Sequence, residues 1–245
     1  DLGARPSSTL LANATIWVEG VTDRHYIKAY MARYVDELRN GSASDQRRAR
    51  TYSSFREDRH YSFVEYQGSN LEHWTFGDVS ESDAIRATFV CARAFVVADG
   101  DIATKGDRAA RFSKMLGDRF HLIPGKEIEN LIPIALLKAF AQAQVGDEFT
   151  WTGEELELPP HDQGIGAYLD RMTGQPGAFT KGGKSGAGTT SLRDTATVRQ
   201  KGPLCDFVVA QISDPSNGLT LPRETRELCE KVFRHIAKEN GIDMS

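Results

Sequence analysis

Short apolar runs that stop at carboxylates constrain this chain more than any bulk property. Ala14-Thr-Ile-Trp-Val leads into Glu19-Gly20, Ala94-Phe-Val-Val-Ala98 leads into Asp99-Gly-Asp101, and Phe120-His-Leu-Ile123 closes at Pro124-Gly125 ahead of Glu127 and Glu129. Runs of this length, rich in β-branched and aromatic residues and bounded by turn formers, read as buried strands. Tyr61 to Tyr66, ending at Gly68-Ser69-Asn70, reads as another, with Ser69 and Asn70 taken as turn residues.

Helical patterns lie between these runs. From His25 to Leu38 the residues Tyr26, Ile27, Tyr30, Met31 and Tyr34 recur at steps of three and four, with Thr22 as the expected N-cap. Residues 107–117 form a second helix, and Glu127 to Ala143 a third, interrupted or bent near Pro133. Strands alternating with helices predict an α/β fold with a parallel, doubly wound sheet flanked by helices. After residue 145 the pattern becomes mainly helical, with Gly164 to Met172, Leu204 to Ile212 and Leu221 to Asn240 as segments; Leu228, Val232, Phe233 and Ile236 mark the inner face of the last. The expected organisation is a linker over 1–13, a catalytic core over 14–145, and a helical C-terminal portion over 146–245 with a mobile basic loop near 174–202. Residues 40–60, rich in arginine, read as an exposed insertion.

Composition removes several classes of function. The net charge of −4 offers no global basic field for nucleic acid, so any such contact must be local. Cys91, Cys205 and Cys229 are far apart and form no CxxC pair, which supports neither a disulfide scaffold nor a zinc site and fits a cytoplasmic protein. The six histidines show no HExxH spacing, and no run approaches the ~20 apolar residues that span a bilayer, so no membrane association is expected. Ala178-Phe-Thr-Lys-Gly-Gly-Lys184-Ser185 matches the spacing of a phosphate loop but lacks the preceding strand and following helix, so no ATP site is expected in this chain.

The acids matter because ligands of open α/β sheets bind outside the carboxyl ends of the strands. Glu19 and Asp23, Asp99 and Asp101, and Glu127 and Glu129 all fall at that edge. Two like charges about 4 Å apart repel by about 1 kcal/mol in water and about 4 kcal/mol at an effective dielectric near 20, so the group needs a counter-charge. Oxygen donors without matching His or Cys suit Mg²⁺ or Mn²⁺. Glu127, two residues from Glu129, would face elsewhere on a helix and is the weaker ligand candidate. Singly, each acid also reads as a helix-start residue or a turn; jointly, they read as a cation site.

Val18-Glu19-Gly20 with Thr22-Asp23, followed by Val97-Ala98-Asp99-Gly100-Asp101, resembles the glutamate and DxD motif of Toprim domains. Together with Lys126-Glu-Ile-Glu129-Asn130-Leu the pattern is similar to the Overcoming Lysogenization Defect (OLD) nucleases, over roughly residues 14–135. The resemblance implies a Toprim-like sheet, DNA as substrate, and two divalent ions. Glu19 and Asp23 would serve one ion, Asp99 would be shared, and Asp101 and Glu129 would serve the other. Glu19 would also act in catalysis, with Lys201 near the scissile phosphate to stabilise developing charge. It further implies an ABC-type ATPase domain upstream, and leaves open an oligomer formed through it. Expected DNA contacts are Lys181, Lys184, Arg193 and Arg199 in the basic stretch, and Arg47, Arg48 and Arg50 with Tyr52 and Phe55 for phosphate contact and base stacking. RNA cleavage, a topoisomerase-type reaction and a non-catalytic Mg²⁺-binding receiver-like module stand as alternatives.

Overall fold

The computed structural model describes residues 12–66, 93–104, 107–152, 156–180 and 196–244. Its centre is a four-stranded sheet built from β1 (Ala14–Val18), β2 (Tyr61–Glu65), β3 (Ala94–Ala98) and β4 (Phe120–Leu122) in the order β2-β1-β3-β4. Every pairing is parallel. The chain runs from β1 outward to β2, then returns to the other side of β1 for β3. That reversal creates a topological switch point between β1 and β3, where the two connections leave in opposite directions and open a crevice at the carboxyl edge.

Alternation along each strand sends residues to opposite faces. Ala14, Ile16 and Val18 with Phe95 and Val97 enter the larger core, whereas Trp17, Val64, Tyr66, Ala94 and Val96 pack on the other face with Phe112 and Leu116 of α3 (Arg108–Leu116). Both faces of β1 are therefore buried, which is why the strand reads as an unbroken apolar run. Fully burying a side chain such as Ile16 or Phe95 stabilises by roughly 1.5–3 kcal/mol.

Helix α1 (Val21–Arg39) covers the larger face through the expected stripe of Tyr26, Ile27, Tyr30, Met31 and Tyr34, extended by Val35 and Leu38. Its N-cap is Gly20 rather than Thr22, because Asp23 at the third helical position turns back to accept the Gly20 N–H at 3.0 Å. Helices α6 (Lys201–Ser213) and α7 (Arg223–Glu239) pack against α1, and their buried residues belong to the same cluster as those of β1 and β3. Leu228, Val232, Phe233 and Ile236 form the inner face of α7, as its periodicity predicts.

The segment read as an exposed insertion is instead a helix, α2 (Ala43–Ser54), packed on α1. Ser42 caps it by accepting the Asp45 N–H, and Ala49 and Tyr52 are buried. Tyr52 stacks on Phe233 with centroids 4.2 Å apart, and Phe55 completes the stack. The arginine content hid a narrow apolar stripe that only the partner helix reveals. After β4, the expected broken helix is a 3-10 turn at Ile128–Leu131 followed by α4 (Ile134–Val145), with Pro133 as its N-cap. α5 (Ile165–Thr173) follows, capped by Gly164. Among the described residues no helix is long and apolar enough to cross a membrane.

Candidate active site at the carboxyl edge of the sheet

Glu19 follows β1 directly and Asp99 follows β3 directly. Because β1 and β3 are parallel neighbours in which Trp17 pairs with Val96, the two acids leave the sheet side by side. Asp23, 8% exposed, is held at the first turn of α1, where it accepts the Gly20 N–H.

Asp101 lies in the 3-10 turn Gly100–Thr104 after β3. That turn is fastened to the segment after β4 by Gly100 N–H to Gly125 O at 2.9 Å and Asp101 N–H to Lys126 O at 3.3 Å. A Cβ on Gly100 would lie 2.0 Å from Gly125 O, so the DxD spacing here admits only glycine between its acids.

The third strand end is more elaborate. Glu127 is the N-cap of the 3-10 turn rather than part of a helix, so the expectation that it faces away from Glu129 fails: both carboxylates meet the Lys201 ammonium. Lys201 Nζ stands 3.3 Å from Glu127 Oε2, 3.2 Å from Glu129 Oε1 and 3.3 Å from Glu129 Oε2. Only the contact to Glu129 Oε2 has hydrogen-bond geometry, and the fully buried Oε1 has no hydrogen-bond donor among the described residues. Glu127 also accepts the Ile165 N–H at 2.9 Å and the Thr197 hydroxyl, which ties α5 and the approach to α6 into the site. Lys201 is itself the first residue of α6 rather than a residue ahead of it.

Electrostatics single out the same edge. Burial, then the charges of Asp23, Glu129 and Glu19, push the Asp99 carboxyl up to about 9 despite the opposing Lys201. Burial and Glu127 raise Glu129 to about 7, and burial with Glu19 raises Asp23 to about 6, against the helix-start hydrogen bond. For Lys201, burial alone would favour loss of the proton, but Glu129, Glu127 and Asp99 outweigh it and its pKa rises. Beneath lies Tyr66, whose hydroxyl donates to Val97 O at 3.0 Å and is held protonated by burial and by Glu19, Asp99, Asp23 and Asp101 together. The charges of all four acids therefore reach this phenol.

Sequence reasoning missed Tyr66, which looks like an ordinary strand residue. It also gave no role to Asn130, which accepts the Glu127 N–H at 3.0 Å and donates to Pro160 O and Gln163 O, fixing the turn that carries Glu129. An Asn three residues after Glu127 is the one signal that could have suggested it.

The expected DNA-contacting residues divide. Arg47 and Arg50 are exposed on α2. Arg48 is engaged with Asp45 at 2.5 Å and Glu230 at 2.8 Å, and Tyr52 and Phe55 lie in the core, so neither ring is free to stack on a base. Arg199 is exposed and donates to Ala178 O, while Lys181, Lys184, Arg193, Ser69 and Asn70 lie outside the described residues.

The donor set is carboxylate oxygen throughout, which is the chemistry of hard divalent cations. Among the described residues no three acidic, His or Cys groups stand ready-arranged around one ion position, since Asp23 and Glu127 are engaged in hydrogen bonds and Lys201 occupies the space between Glu127 and Glu129. Comparison with known proteins assigns no relative: no family model, curated protein or solved structure matches the chain.

Proposed function

We propose that this chain is a Mg²⁺- or Mn²⁺-dependent DNA nuclease of Toprim type, the catalytic part of an OLD-like ATPase-nuclease acting in the cytoplasm. The observation that carries the reading is the convergence of acids at the β1/β3 switch point, where Glu19 and Asp99 end adjacent strands and the carboxyls of Asp23, Asp99 and Glu129 are raised by burial and by neighbouring acids. Lys201 supplies one positive charge against these acids, which leaves a net negative bowl suited to divalent cations.

Glu19, Asp23, Asp99, Asp101 and Glu129 would hold two ions, which when bound supply a nucleophile from water and stabilise the leaving oxygen of a phosphodiester. The chain's own residues do the rest. Glu127 and Asn130 fix the turn that presents Glu129, and Tyr66 sets the floor beneath the acids without contributing charge. Lys201, which stands against Glu127 and Glu129, would stabilise negative charge developing at the scissile phosphate. Exposed Arg47, Arg50 and Arg199 contact backbone phosphates, giving binding with little sequence preference and steep salt dependence.

The test is cleavage of plasmid and linear DNA in Mg²⁺ or Mn²⁺ by the wild type and by Asp99→Ala. Metal-dependent cutting that vanishes in the variant supports the reading, and equal activity in both, or none in either with any metal, refutes it. An RNA substrate in parallel separates the DNA reading from RNA cleavage.

A further inference from the structure

A cavity of about 550 Å³ opens beside Asp101, beyond the carboxyl end of β4. Its walls are Gly100, Asp101, Leu122, Ile123, Gly125, Lys126, His161 and Asp162. The volume falls within the range of small-molecule sites, about 300–1,000 Å³. One wall is rigid, because the turns after β3 and β4 are joined there by the two backbone hydrogen bonds of Gly100 and Asp101. Leu122, half-buried, gives an apolar side fit for a flat ring, with the buried Ile123 behind it, and His161 and Asp162, both exposed, add polar groups. Lys126 is half-buried in this wall and has no ion-pair partner among the described residues, unlike Lys201. A cation with no ion-pair partner among the described residues, in a wall it shares with Asp101 and Asp162, gives an anionic ligand one charged anchor, and the apolar side alongside fits a ligand that also carries a ring.

We infer that this cavity receives one nucleotide of the substrate, the unit flanking the phosphodiester to be cut, with Lys126 on its phosphate and the base against Leu122. Its place in the reaction rests on the nuclease reading; its ligand chemistry does not. Asp101 belongs both to the cavity wall and to the acidic edge, so a nucleotide seated here delivers its neighbouring phosphate to the acids.

The probe is deoxyadenosine 5′-monophosphate, titrated into the whole protein without divalent ions and followed by ligand-observed NMR, with inorganic phosphate as the ring-free control. Binding of the nucleotide is expected to exceed that of phosphate, to weaken roughly tenfold in Lys126→Ala, and to persist in Lys126→Arg. Leu122→Trp, which fills the cavity, should abolish it; if that variant fails to fold by circular dichroism, the Lys126 pair decides alone. Unchanged nucleotide binding in Lys126→Ala, or phosphate binding as well as the nucleotide, overturns the inference. Oligonucleotide cleavage by the same proteins separates the two ideas. Cleavage with an unaltered KM in Lys126→Ala removes the cavity and leaves the nuclease, whereas Lys126-dependent nucleotide binding in a protein that never cuts DNA keeps the cavity and removes the nuclease.

Discussion

Two carboxylate-centred clusters in this molecule behave in opposite ways. Around Glu230, on the outer side of α7, Arg48 and Arg234 each approach to 2.8 Å while the Tyr34 and Tyr52 hydroxyls donate at 2.9 and 3.1 Å. Burial alone would raise the Glu230 carboxyl, but these donors outweigh it and hold it below the usual range. At the carboxyl edge of the sheet, burial is not answered: Asp99, Glu129 and Asp23 are all raised, and one lysine serves Glu127 and Glu129 together. A satisfied cluster stabilises the fold it sits in. An unsatisfied one costs stability and persists where the charge has another use, which is how perturbed acids mark functional sites.

That contrast can be broken experimentally, beginning with the largest effect. Asp99→Asn should lower metal-dependent cleavage by more than about 100-fold, since even partners one step removed from a metal cost about 10–100-fold. The same substitution should raise the melting temperature of the metal-free protein near neutral pH, because Asn has no carboxyl that must take up a proton on folding, so differential scanning fluorimetry and a cleavage assay should move in opposite directions. Glu230→Ala should do the reverse, leaving cleavage intact and lowering stability by about 1–2 kcal/mol in denaturant melts, because Arg48 and two tyrosine hydroxyls lose a largely buried partner.

Glu127→Gln sharpens the role of Lys201. The amide can still accept the Ile165 N–H but loses its charge toward Lys201, so the expected result is a several-fold fall in kcat with little change in KM, checked by steady-state kinetics. A loss confined to KM would place Glu127 on substrate binding instead.

A smaller, graded effect comes from pH. A carboxyl whose pKa is higher in the folded state holds its proton more tightly there, so its stabilising contribution is complete below the unfolded value and fades as pH rises through the folded one. With Asp23 near 6, Glu129 near 7 and Asp99 near 9, the metal-free protein should lose stability steadily between about pH 4 and about pH 9. Glu230 and Glu57, both lowered, act oppositely and lose their contribution only as pH falls below the ordinary glutamate range. Melting temperatures across that range, with and without Mn²⁺, check the sign: the metal should cancel the alkaline decline.

The parallel sheet was legible because each strand is buried on both faces and so reads as an apolar run. Placing Glu19 and Asp99 on one edge followed from strand ends alone, since parallel neighbours share their direction. What escaped depends on tertiary partners. The buried stripe of α2 amounts to Ala49, Tyr52 and the adjoining Phe55 among arginines, too sparse to stand out without α1 and Phe233 beside it. The shared hold of Lys201 on Glu127 and Glu129 spans more than seventy residues and depends on a 3-10 turn where periodicity suggested a helix. Tyr66 carries no local signature at all, because what sets it apart is the charge of acids that follow other strands.

The most direct measurement is calorimetric titration of Mn²⁺ into metal-free wild type and Asp99→Asn at pH 8. If the edge between β1 and β3 is a cation site for two-metal chemistry, the wild type takes up two ions per chain, with protons released on binding, and the variant loses at least one of them. Equal uptake by both proteins, or none by the wild type, contradicts it.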